Sequence, residues 1–239
     1  MKKIITILLL LLSLNAYTQK VTPPDFDRIK TEIEKENSPY FYPTLLQKYY
    51  SAANDAMTDL EKHHLYFGFV FQSWYNPNYS SSNERELKTV LKRKHKTSQD
   101  YRDIVYWADI MIKENPFSTY ALQWKTVALF KLGKSNTEEY DRTTAQYNII
   151  MDAIIGSGSG KSENSPFFVI TVEHEYELIN YFDCKFVNED EINNNGVILD
   201  RIFLAENLEK IESLYFNVTL VQKYLTEIDN AKKNKKHKK

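Results

Sequence analysis

QDYRDIVYWADIMIKENPFSTYALQWKTVALFKLGKSNTEEYDRTTAQYNIIMDAII, residues 99–155, is the stretch that decides the fold. Within 99–114, 118–132 and 136–155 apolar side chains return every three or four positions, the spacing of helices that bury one stripe. Asn115 and Pro116 close the first of these, Gly133 follows the second and Gly156 the third, each a helix-stop signal. Ser135 with Glu138 offers the third a capping box, in which a hydroxyl caps an orphan N–H and the carboxylate reaches back. Links this short force neighbouring helices to run antiparallel, so the stretch should form stacked helical hairpins.

Outward from there, Thr58 with Glu61 forms a second capping box, and Ser98 and Ser165 head apolar-periodic segments. These signals predict further helices near 25–36, 43–53, 59–75, 83–95 and 166–182. The run PFFVITV at 166–172 also reads as a strand, although Ser165 followed by Pro166 is good helix-start chemistry. After Phe182 the segments CKFVNEDEI, GVILDRIFLAEN and KIESLYFNVTL turn β-branched and aromatic, with acids and asparagines between them. They predict a three-stranded antiparallel meander over about 184–220. The expected fold class is therefore mainly α: stacked antiparallel hairpins ending in that small meander, in one domain over 19–230.

The ends of the chain carry their own expectations. Lys2 and Lys3, an apolar run from Ile4 to Leu12 and a polar exit through Ser13, Asn15 and Thr18 have the order of a cleavable signal peptide over 1–18, cut near Thr18 and Gln19. The run is far shorter than the ~20 residues that span a bilayer, so no transmembrane anchor is expected. Cys184 is the only cysteine; with none after the apolar run, a lipoprotein is excluded, as are an internal disulfide and a thiolate-rich metal site. The protein should be exported, to the periplasm or beyond. Residues 231–239, AKKNKKHKK, read as a disordered tail. Without Lys2, Lys3 and the six tail lysines, 23 basic side chains face 32 acidic ones, about −9. Such a body is unsuited to nucleic acid, whose phosphates need a clustered basic surface.

Two resemblances follow. ALQWKTVALFKLGK, at 121–134, has the leucine–glycine ending found after the first helix of tetratricopeptide-like units; with Gly133 in register, the position usually held by alanine falls on Glu138. PDFDRIKTEIEKENSPYFYPTLLQKY, HLYFGFVFQSWYNP, ENPFSTYALQWKTVALFKLGK, GSGSGKSENSPFFVITVEHEYELI and LYFNVT, in that order, resemble a family of exported Bacteroidota proteins catalogued as domain of unknown function 4919. The resemblance covers nearly all of the mature chain and implies compartment and architecture; Ser159 stands where that family's glycine loop usually has aspartate.

GSGSGKS at 156–162 looks like a phosphate-binding loop and fails on spacing. Five positions before Gly160 stands Ile155, where a glycine is required, and the loop follows a helix; it reads as a flexible connector. Glu173, His174, Glu175 and Glu177 form the one cluster with acid–base or ligating chemistry. On a helix His174 and Glu177 share a face and Glu175 points elsewhere, two ligands where catalytic zinc needs three. His63 and His64 are adjacent and point apart. A structural His174, hydrogen-bonded to a neighbouring turn, is expected, with no cofactor. Tyr40, Phe41, Tyr42, Tyr49 and Tyr50, then Tyr66, Phe67, Phe69, Phe71, Trp74 and Tyr75, read mainly as core, leaving a fraction for a surface groove. The candidate surface is thus His174, Glu175, Glu177, Trp74 and Tyr75. The expected function is a non-catalytic interaction scaffold for an envelope protein or peptide; the alternatives are a glycan- or peptide-binding module and a hydrolase or metal-dependent enzyme.

Overall fold

A computed structural model of the chain describes residues 21–51 and 57–236. The signal peptide and its cleavage point lie outside the described residues. Four helices open the fold: α1 (Phe26–Glu34), α2 (Tyr42–Tyr50), α3 (Asp59–Gly68), which tightens into a 3₁₀ turn at Phe69–Phe71, and α4 (Glu84–Leu91). The decisive stretch follows as α5 (Ser98–Glu114), α6 (Thr119–Lys131) and α7 (Glu138–Ile155). Adjacent members pack on one another, α4 on α5, α5 on α6 and α6 on α7, and α7 returns against α3.

Local chemistry explains these boundaries. Thr58 and Glu61 close a complete capping box at the head of α3, and Thr97 with Asp100 does so for α5. α7 is capped by Thr137, whose hydroxyl accepts from the Tyr140 N–H at 3.3 Å. The Ser135–Glu138 pair therefore lies one turn too early. Asn115 ends α5 and Gly133, at φ 73°, follows α6.

The C-terminal third departs from the expected fold class. Instead of a three-stranded antiparallel meander, the structure has a four-stranded mixed sheet in the order β1-β4-β3-β2, built from β1 (Phe167–Phe168), β2 (Phe186–Asn194), β3 (Val197–Leu204) and β4 (Ser213–Asn217). β1 runs parallel to β4, Phe167 opposite Phe216. The expected helix over 166–182 starts only at Glu173, as α8 (Glu173–Tyr181). The reason lies in the glycine loop. Ser159 and Gly160 both donate to the Ser165 carbonyl, Ser157 Oγ accepts from the Phe168 N–H at 2.9 Å, and the Gly160 carbonyl accepts from the Tyr215 N–H at 2.8 Å. That clasp draws Pro166–Phe168 into the sheet before a helix can form. The expected flexible connector is thus pinned at both ends.

β2 and β3 are joined by Asn195-Gly196, both at positive φ (52° and 89°), the pair a two-residue type I′ hairpin demands. After β4 the chain enters a helix that the sequence reading lacked, α9 (Thr219–Lys236), which packs on β3. Residues 231–236, read from sequence as disordered tail, lie within α9; residues 237–239 fall outside the described residues.

Two apolar cores result. The larger joins α1–α3, α7, α8 and the sheet, and includes Tyr49, Tyr66, Phe67, Ile202 and Phe216. The smaller holds α4, α5 and α6 through Leu87, Ile104, Ala108 and Ala128. No described helix is long and apolar enough to cross a membrane.

Two glycine substitutions test the clasp. A Cβ on Gly158 would stand 1.9 Å from the Pro166 carbonyl oxygen, whereas one on Gly196 meets nothing within 4 Å. Gly158→Ala should cost about 2–3 kcal/mol through forced backbone movement, and Gly196→Ala about 1–2 kcal/mol from its positive φ alone. Urea unfolding of both variants gives the comparison; equal losses would contradict the clasp.

Candidate functional site

The first turns of α8, Glu173-His174-Glu175-Tyr176-Glu177, send successive side chains to different parts of the molecule. His174 is fully buried. Its Nδ1 lies 2.7 Å from the Tyr66 hydroxyl and its Nε2 2.9 Å from the Phe117 carbonyl oxygen. A carbonyl only accepts, so Nε2 carries the proton and Nδ1 accepts from Tyr66. The ring is neutral, in keeping with burial that pushes its pKa down. Tyr66 Oη also accepts from the Ile170 N–H at 3.2 Å, so one relay ties α3, the turn before α6, the segment after β1 and α8.

Glu173 turns to the head of α6, where its Oε1 accepts from the Tyr120 N–H (3.0 Å) and the hydroxyls of Thr119 (3.1 Å) and Ser118 (3.3 Å). A carboxylate belongs there, because the first amides of a helix are unpaired and its dipole is positive. Glu177 accepts from Tyr147 Oη at 2.6 Å and Gln123 Nε2 at 2.9 Å, and burial raises its pKa. Glu175 is 1% exposed and its Oε1 has no hydrogen-bond partner. Burial first, then the charges of Asp200 and Glu189, drive its pKa well above the carboxylate range. Tyr176 Oη donates to Glu189 Oε2 at 2.7 Å.

The five residues of the candidate surface are therefore not brought together. His174, Glu175 and Glu177 are buried, each with its own neighbours, and His174 and Glu177 do not converge on one site. Tyr75 is buried and donates to the Ile170 carbonyl at 2.8 Å, while Trp74, 44% exposed, packs edge-on against Phe69. His63 and His64 also point apart, to the Thr22 carbonyl and to Glu32. Among the described residues no group of three or more His, Cys, Asp or Glu is placed to hold a metal ion.

Two openings flank α8. On the Glu173 side a pocket of about 170 Å³ is lined by Tyr79, Ser81, Glu84, Lys88, Tyr120 and Glu173. Lys88 pairs with Glu84, and Glu114 fixes the loop above by accepting from Tyr79 Oη and Ser81 Oγ, both at 2.6 Å. On the Glu175 side lies β2, the terminal strand of the sheet. Phe186 and Val187 at its start are 45% and 58% exposed, and a shallow depression of about 660 Å³ beside them is lined by Phe182, Cys184, Leu208 and Glu209. Glu191 stands opposite Asp200 and Glu189 opposite Ile202, so Glu189, Glu191 and Asp200 share one face. Asp200 is pushed up to about 6 by burial and by Glu191 and Glu189.

Nothing in the sequence marks Tyr66 as the partner of His174 or Tyr120 as the partner of Glu173, since these pairs meet only through the fold. The alternation of acids in β2, by contrast, was readable. The family described as Domain of unknown function (DUF4919) matches residues 27–229. No curated protein and no solved structure matches the chain.

Tyr66→Phe should destabilise the protein by about 1–3 kcal/mol, because Nδ1 of His174 and the Ile170 N–H both lose a buried partner. His174→Ala should cost more, about 3 kcal/mol or above, since it adds a cavity; denaturant melts measure both. The pH profile of stability should hold two opposed contributions. His63, lowered to about 4 by burial, lets the unfolded chain bind the extra proton between pH 6.5 and about 4, so its contribution falls as pH falls. Asp200, raised to about 6, lets the folded chain hold the extra proton between its ordinary 3.8 and about 6, so its contribution falls as pH rises. Asp200→Asn should remove the second and gain on the order of 1–2 kcal/mol at pH 7 relative to pH 4.

Proposed function

The chain belongs to the family described as Domain of unknown function (DUF4919), and we propose from that premise and the geometry above that it is an exported, non-catalytic binding protein of the cell envelope whose ligand is another protein. The observation that carries this reading is the free β2 edge. Nine residues of strand have their outer backbone groups unpaired, next to exposed Phe186 and Val187 and the depression beside Leu208. Unpaired strand edges are templates for pairing with another chain. The leader-like order of Lys2, Lys3 and the run Ile4–Leu12 supports export. A binding rather than catalytic role is supported by His174, whose two ring nitrogens are both engaged inside the core.

A second reading has its own support. The pocket beside Glu173 combines two tyrosine rings with Ser81, Glu84 and Lys88, aromatic and hydrogen-bonding groups suited to one ring of a glycan. Trp124, 6.4 Å edge-on from Tyr120, reports on that pocket by fluorescence.

A photocrosslinking side chain at Val187, in a tagged chain expressed in its own cells, should capture one recurrent envelope protein, while the same group at exposed Arg102 on α5 captures none. Absence of that difference, together with a change in tryptophan emission on adding cell-wall fragments, would move the assignment to glycan binding.

A further inference from the structure

We infer that the β2 edge receives an extended segment of a partner protein bearing lysine or arginine at alternate positions, its cations seated on the face formed by Glu189, Glu191, Asp200 and Glu175. This rests on the protein-binding reading above and adds the chemistry of the partner. β2 pairs only with β3, and residues 186–194 make no backbone hydrogen bond to any other described element. A strand added at that edge would complete the ladder and place every second side chain on the same face as Glu189 and Glu191.

Charge on that face is unbalanced. Among the described residues no ion pair includes Glu175, Glu189, Glu191 or Asp200, and the Tyr176 hydroxyl on Glu189 is the hydrogen bond they receive from a neighbouring side chain. Exposed acids on an edge strand also deter self-association, which accounts for Glu189 and Glu191. It does not account for Glu175, which is 99% buried beneath them with an unpartnered oxygen and feels Asp200 and Glu189 directly. A guard against aggregation needs solvent-facing charge, whereas a carboxyl buried beside two others is favourable only when a cation arrives.

The geometry also selects the kind of cation. These carboxylates are not gathered as a metal-holding group, so the charge that fits is one spread along a strand, carried on side chains about 7 Å apart. The opposite face is already neutralised: Arg201 Nε donates to Asp190 Oδ1 at 2.8 Å, and its guanidinium lies 4.7 Å from the Phe203 ring centre. Cations at every second position, neutral residues between, match the two faces. A one-residue slip would set the cations against Arg201, so charge fixes register as well as affinity.

The mature chain is titrated calorimetrically with three nine-residue peptides: lysine alternating with threonine, glutamate alternating with threonine, and the lysine peptide N-methylated at alternate amides. Amide exchange across β2 is followed in parallel. The lysine peptide should bind and slow exchange in β2, the glutamate peptide should not bind, and N-methylation should abolish binding. Glu189→Gln with Glu191→Gln should weaken the lysine peptide about tenfold, and Glu175→Gln, whose native carboxyl is itself neutral when unliganded, should weaken it without loss of fold by circular dichroism. Equal binding of the glutamate and lysine peptides with β2 protected would overturn the cation claim and leave strand pairing standing. Lysine-peptide binding that survives N-methylation, or leaves β2 exchange unchanged, would overturn strand pairing itself. No binding by any peptide would overturn the inference, and the Val187 crosslink then decides the broader reading separately.

Discussion

A neutral imidazole in the core holds this fold in register. His174 spans the gap between the Tyr66 hydroxyl and the Phe117 carbonyl oxygen, and so joins α3, the turn into α6 and α8, which lie far apart in sequence. Each partner has a second duty. Tyr66 also receives the Ile170 N–H, which anchors the strand-like segment after β1, and Phe117 packs against Tyr49 and Phe69. A buried network of this kind contributes fully when every member is paired, and is expensive when one is missing.

With His174 fixed, the other side chains of the same helical turn can only point where α8 aims them. Glu173 reaches the amides at the start of α6 and completes that helix's N-terminus. Glu177 meets Tyr147 and Gln123 and ties α8 to α7 and α6. Glu175 faces the sheet, against the acids of β2 and β3. One turn of helix thus closes the core, walls a small polar pocket on one side and leaves an uncompensated carboxyl on the other. The binding surface proposed here is a consequence of where the histidine had to sit.

How much of this was legible in the sequence depended on the range of the interaction concerned. The Thr58–Glu61 box, Asn115 and Gly133 act within one helical turn and mark real boundaries. The structural role expected of His174, a hydrogen bond to a neighbouring turn, is the one seen. Pro166–Phe168 misled because Ser165-Pro166 is sound helix-start chemistry locally, and only the clasp of Gly160 onto Tyr215, fifty-odd residues away in the chain, draws it into the sheet. α9 was missed because its apolar contacts, Val221, Tyr224 and Leu225, are few and run into a lysine-rich end that read as tail. Trp74 and Tyr75, adjacent in sequence, part company because the turn after Phe71 buries one ring and exposes the next. Periodicity alone does not distinguish them.

The claim that the β2 edge is where a partner sits is tested most directly by its accessibility in the cell. With Cys184 replaced by alanine and Val187 by cysteine, a small maleimide should modify the purified mature chain rapidly and the same chain in intact cells slowly, while a cysteine in place of Arg102 reacts alike in both. Equal reactivity at position 187 inside and outside the cell would mean that the edge stands empty where the protein works, and would contradict the account.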